Sequence, residues 1–159
     1  MTAQPEIVIA TTLRDERGVT GVQTQFSVFR DYLRSIDHPV SVVNPFSCNG
    51  AVVYLVFAIR RLLGPLRHRR SVWWHRTWHY RFMRTALRKV FAAKSNVIIY
   101  AQDPISAAAA LETRTADQPV VLAMHNAQSE ADEWVSHGAI STSSSLYRSI
   151  QLQELEALT

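Results

Sequence analysis

The sequence predicts an α/β fold, a parallel sheet flanked by helices. Three observations point to it. Short apolar runs alternate with longer stretches whose apolar residues recur every three or four positions. Several of the runs, such as V-I-I-Y-A and P-V-V-L-A-M, are nearly uninterrupted, the pattern of strands buried on both faces. The first run also passes through a glycine-containing loop straight into a helical pattern, L-R-D-E-R-G-V-T-G-V-Q-T-Q-F over Leu13–Phe26. Strand, loop and helix in that order open nucleotide-binding α/β domains.

In chain order, Glu6–Thr12 is the first expected strand and Thr20–Ile36 the first helix, with Val22, Phe26, Phe29 and Leu33 on its apolar side. Asp37-His38-Pro39 stops it. Gly18 and Gly21 reach backbone angles closed to other residues and permit close approach to the main chain. The free N–H groups of the helix start then favour an anion such as phosphate. The loop matches neither G-x-G-x-x-G nor a Walker sequence, so a plain strand-to-helix turn stays open. Val40–Val43 is a second strand, ended by Asn44-Pro45. Helices are expected over Ala51–Leu63 and Val72–Ala93, separated by Gly64-Pro65 and a basic turn, Leu66–Ser71. Asn96–Ala101 and Pro119–Met124 read as buried strands, with an alanine-rich helix from Ile105 to Thr113 between them. A short helix over Ser129–Trp134, a mobile polar stretch over Ser136–Ser145 and a helix over Leu146–Leu158 complete the pattern.

With 159 residues, 47% of them hydrophobic and 19% charged, the chain has the length and composition of one soluble domain. Its one cysteine, Cys48, excludes an internal disulfide and fits a reducing compartment. The longest apolar run, Ala51–Ile59, is too short to span a bilayer and no basic-then-apolar leader opens the chain, so a cytoplasmic location is expected.

Charge is segregated. No acidic residue lies between His38 and Gln102, and eleven of the seventeen Lys and Arg fall there. That interval carries +11 and the remainder −7, an asymmetry that points to an anionic partner for one segment. On the Val72–Ala93 helix, Phe82, Met83, Ala86, Leu87 and Val90 form an apolar arc opposite Arg81, Arg84 and Arg88, with Trp74 and Trp78 nearer the arginines. Two readings stay open. One is an amphipathic helix with a solvated basic face and tryptophans packed on a neighbouring loop. The other is an interfacial helix in which Arg69, Arg70, Trp74, Trp78, Arg81, Arg84 and Arg88 meet an anionic membrane surface. Nucleic acid is a minor alternative, because no nucleic-acid motif accompanies the charge.

Ligands of open parallel sheets bind outside the carboxyl ends of the strands, where the first loop, Asp103 and His125 all fall. Asp103 before Pro104 also reads as a helix cap, and His125 as a hydrogen-bonded loop histidine.

Four stretches in order, G-V-T-G-V-Q-T, D-H-P-V-S-V-V-N-P, N-V-I-I-Y-A-Q-D-P and P-V-V-L-A-M-H-N, resemble the N-terminal half of retaining GT-B glycosyltransferases of family 4. They are similar to that family's G-G-V-x-x-H/T, G-H-x-V-x-V, D-V-V-H-x-H-D-P and P-V-V-x-T-x-H. The likeness covers nearly the whole chain and is thinnest over its basic middle. It implies a Rossmann-like N-terminal, acceptor-side domain, incomplete within residues 1–159, with a basic tryptophan-rich insert at about 51–94 and without the donor-binding domain. It further implies a parent enzyme that moves a sugar from a nucleotide-sugar donor to a lipid-linked or polysaccharide acceptor with retention, at the inner face of the plasma membrane, with no cofactor beyond the donor. Gly18 and Gly21 would line the cleft near the donor diphosphate, and Gln23 would lie toward the acceptor. His125 would orient the transferred sugar through a hydroxyl, with Asp103 and Asn126 as further substrate-binding positions. The sequence departs from the pattern where Val19-Thr20 separate the glycines and where Tyr100 and Gln102 replace histidines, so no metal ligand set is expected. Without a donor domain the chain alone is expected to be inactive. The alternative function is a non-catalytic module that docks on a membrane or protein through the basic helix.

Overall fold

The computed structural model describes residues 4–15, 20–48, 50–63, 68–115, 117–125 and 128–158. Four strands, β1 (Glu6–Ala10), β2 (Val40–Val43), β3 (Val97–Ala101) and β4 (Val120–Leu122), form one sheet in the order β2-β1-β3-β4, every pair parallel. Val8, Ile9 and Ala10 of β1 and Ile99 and Ala101 of β3 are fully buried, which is why the central strands need apolar residues on both faces. The chain leaves β1 for β2 on one side and reaches β3 on the other. The crevice between β1 and β3 is therefore the topological switch point of the sheet.

Helices α1 (Gly21–Ser35), α2 (Gly50–Leu63), α3 (His68–Ala93), α4 (Pro104–Thr113), α5 (Glu130–Ser136) and α6 (Ser145–Leu158) complete the fold. Thr20 caps α1, accepting a hydrogen bond from the Gln23 N–H. At the other end, the Asp37 N–H bonds the Arg34 carbonyl and the His38 N–H the Leu33 carbonyl, a Schellman closure with Asp37 left-handed at φ 56°. Gly138 closes α5 in the same way at φ 67°, with bonds from Gly138 and Ala139 back to Val135 and Trp134.

One core joins the sheet to α3 and α4. Met83, Ala86 and Leu87 meet Val8, Ala10 and Ile99, while Ala109 and Ala110 let α4 come close. A second cluster, Val72, Ala131, Ile140 and Ile150, packs α5 and α6 on the first turns of α3.

Boundaries shift at several places. The sequence starts the long helix at Val72, but α3 begins at His68, so Ser71 and its basic neighbours continue the helix rather than turning. A short 3₁₀ turn, Pro45–Ser47, capped by Asn44, follows β2 where only an ending was expected. Strand β4 is three residues long, half the expected run. The polar stretch expected to be mobile is tied down at Ile140, whose burial outweighs its polar neighbours.

Candidate functional site

The strands end level. Ala10 pairs with Ala101 and Ala101 with Leu122, so Thr11-Thr12, Gln102-Asp103 and Ala123–His125 leave the sheet side by side. They border a cavity of about 340 Å³, closed by His75 of α3, by Glu130, Glu133 and Trp134 of α5 and by Glu154 of α6. That size suits a small molecule.

Asp103 and His125 line this cavity together, as the sequence implies. Asp103 is committed to the scaffold. One carboxylate oxygen accepts from the Ser106 N–H at 2.8 Å; the other accepts from the Ser106 hydroxyl at 2.9 Å and from the Thr12 N–H and hydroxyl at 2.9 and 3.1 Å. These donors tie the β1 loop to the start of α4. Burial pushes the carboxyl above its ordinary range, while the four donors act in the opposite direction. The helix-cap reading of Asp103 is the one its geometry bears out.

His125 stands past the end of β4, with Nε2 2.7 Å from Gln102 Oε1. With the Nε2 proton donated there, Nδ1 is left as an acceptor. Gln102 is 4% exposed, and its Nε2 has no partner among the described residues. Turning the amide over would satisfy one end and orphan the other. A buried group left so costs about 1–3 kcal/mol until a ligand or water meets it.

The α5 wall is held from behind. Arg76, buried on α3, pairs with the Glu130 carboxylate and donates to Gln153 Oε1. Glu130 Oε1 accepts from Trp134 Nε1 at 3.1 Å, and the Glu130 N–H donates to Glu154. Burial is the largest influence on Glu154 and pushes its carboxyl up; the neighbouring Glu130 charge adds to this. Sequence reasoning missed Gln102 as a site residue, along with His75, Glu130, Glu133, Trp134 and Glu154. Nothing local marks the α5 and α6 residues as neighbours of the β3 end, 29 to 53 positions earlier in the chain.

Gly21 and Gln23 do not line the cavity; Val22 between them does. Gly21 is exposed, with nothing among the described residues within 4 Å of where a Cβ would stand, so none of them demands glycine there. Gln23 is buried and donates through Nε2 to the Arg14 carbonyl at 3.0 Å, while Arg30 pairs with Asp15. Both side chains fold the β1 loop back on α1. Gly18 and Asn126 lie outside the described residues.

The basic face of α3 is elsewhere. Trp74 donates through Nε1 to the Val56 carbonyl of α2 at 2.9 Å, and Trp78 stacks between Trp74 and Phe82 at 5.6 and 5.5 Å. The Arg81 guanidinium lies 5.2 Å over the Trp78 ring. Trp74 thus packs on a helix, where the sequence offered a loop or a membrane. Arg84 bonds Glu112 of α4 at 2.6 Å, Arg88 lies 4.0 Å from the same carboxylate, and Tyr80 also donates to it. Arg69 donates to the Ser145 hydroxyl at 3.1 Å, and Arg70 is exposed. Among the described residues no helix is long and apolar enough to cross a membrane, and no group of His, Cys, Asp and Glu is arranged to hold a metal ion.

No protein-family model, curated protein or solved structure matches the chain.

Proposed function

We propose that the chain is the acceptor-side Rossmann-like domain of a retaining GT-B glycosyltransferase resembling family 4. Its substrates would be a nucleotide sugar and a lipid-linked or polysaccharide acceptor. One observation carries the reading: His125 and Gln102 border a cavity at the carboxyl end of a parallel β2-β1-β3-β4 sheet, beside its switch point. His125 Nδ1 accepts a sugar hydroxyl and Gln102 fixes the ring; the pair orients the transferred group. Stabilisation of the leaving diphosphate would fall to a donor-binding domain. Gly21 and Val22 open α1, and the first N–H groups of that helix would offer a place for part of the donor diphosphate.

The test is sugar transfer by the full gene product from a panel of nucleotide sugars. His125→Ala is expected to lower turnover by about a hundredfold, the scale of a lost positioning contact. Unchanged turnover removes His125 from the site, and no transfer from any donor removes the reading.

The exposure of Arg69, Arg70, Arg81 and Arg88 on α3 favours a second reading, a module that docks on an anionic membrane or protein surface. It requires co-sedimentation with phosphatidylserine vesicles at low salt that weakens as salt rises. Protein left in the supernatant at every salt concentration removes its membrane form.

A further inference from the structure

The cavity has a charge character of its own. Four of its described lining residues are carboxylic acids, three are histidines, and none is lysine or arginine. Arg14, close by in sequence, holds its guanidinium 4.6 Å over the Phe46 ring and 5.0 Å over that of Tyr54. Arg76 neutralises Glu130, and Asp103 is spent on four donors. Glu133 is half-buried one turn along α5, and its carboxylate has no hydrogen bond or ion pair among the described residues, so it remains for a ligand. Trp134 beside it has its indole N–H occupied by Glu130, which leaves ring carbon for contact. On the sheet side waits the buried amide end of Gln102 without a partner. A carboxylate acceptor, an amide and an aromatic surface match a ligand with hydroxyls and C–H faces. They repel a phosphate.

We propose that this cavity selects an uncharged, polyhydroxylated ring, the neutral sugar end of an acceptor, and rejects phosphorylated ones, with Glu133 and Trp134 setting that preference and Gln102 supplying a hydrogen bond. The inference rests on the glycosyltransferase reading and names the charge class of its acceptor. Nothing in the cavity needs the ring to be activated. The acceptor ring lies against Glu133 and Trp134, and the transferred sugar lies at His125 on the sheet side of the same cavity.

The experiment is ligand-observed NMR on the 159-residue chain at pH 8, with methyl glycosides of the common hexopyranoses and their 6-phosphates as probes. At least one neutral glycoside is expected to bind with a dissociation constant of about 1 mM, and its 6-phosphate about tenfold more weakly. Glu133→Lys is expected to erase or invert that ratio with native circular dichroism, and Trp134→Ala to weaken the neutral glycoside about tenfold. Should Trp134→Ala fail to fold, Glu133→Lys and Gln102→Leu carry the test, the latter weakening the glycoside. Absence of neutral binding, equal or tighter binding of the 6-phosphate, or a ratio that Glu133→Lys leaves unmoved overturns the inference. Transfer by the full gene product only to phosphorylated acceptors would remove it while the transferase reading stands. Neutral binding through Glu133 without transfer from any nucleotide sugar would do the reverse.

Discussion

Asp37 and Gly138 occupy equivalent places at the ends of α1 and α5, and both are left-handed. Only one of them is glycine. An L residue with a Cβ is strained there, aspartate less than most because its short polar side chain tolerates the region. Asp37 is exposed and Gly138 has open space around its missing Cβ among the described residues, so no packing contact changes on exchange and backbone strain leads. Asp37→Gly is expected to stabilise the chain by about 0.5–1 kcal/mol, and Gly138→Ala to destabilise it by about 1 kcal/mol. Urea denaturation of the two variants checks both signs. Gly21 differs from either, because it sits in ordinary helical backbone and its lack of a side chain answers to no neighbour among the described residues.

Between elements, polar contacts from α3 decide what its arginines do. Tyr80, Arg84 and Arg88 converge on Glu112, so the face that a helical wheel makes solvent-exposed is partly the α3–α4 seam. Burial, then the hydrogen bond to Glu112, pushes the Tyr80 hydroxyl up to about 12, and the Tyr80 hydrogen bond leads the contacts that hold Glu112 below its ordinary value. The signs follow from linkage. A raised tyrosine contributes stability that is complete below its ordinary value of 10 and is lost as pH rises through about 12. A depressed carboxylate contributes stability present above its ordinary 4.5 and lost as pH falls through its folded value. Tyr80→Phe is expected to remove the alkaline loss and to shrink the acid one. Thermal midpoints from pH 3 to 12 test this; an alkaline limb identical to that of the parent chain refutes the contact.

Across the whole molecule, the segregated charge is partly consumed within the chain. Arg76 meets Glu130, Arg84 meets Glu112 and Lys94 meets Glu6, each pair joining the basic interval to an acidic remainder. Burial raises the Glu6 carboxyl, yet hydrogen bonds from Lys94 and Ser41 and the Lys94 charge outweigh it and hold Glu6 low. The Arg76–Glu130 pair is the deepest of these, with side chains 7% and 18% exposed, and it fastens the cavity wall to the second core. Arg76→Met leaves Glu130 without its countercharge and is expected to cost about 3 kcal/mol. The double variant Arg76→Met with Glu130→Gln should recover much of that loss in the same denaturation series. If single and double variants fall equally, the ion pair does not hold the wall.

The alternation of strand and helix, the parallel sheet, the start of the first helix near Thr20, the cap at Asp103 and the stop at Asp37 were legible because each depends on residues a few positions apart. That Asp103 and His125 would lie at the same end of the sheet was legible for the same reason: a residue following a buried strand in a parallel sheet has one end of the molecule to go to. The rest of the cavity was not. Glu130, Glu133 and Trp134 come to it only because Val72, Ala131 and Ile150 bury one another, and Arg76 reaches Glu130 across 54 residues of chain. Gln102 stood in the sequence as a departure from a histidine pattern and became, once folded, a buried amide with one end unmet. Local hydrogen bonding and periodicity determine which elements form and in what order. Long-range burial decides which side chains share a space, because it depends on surfaces that exist only after those elements have packed.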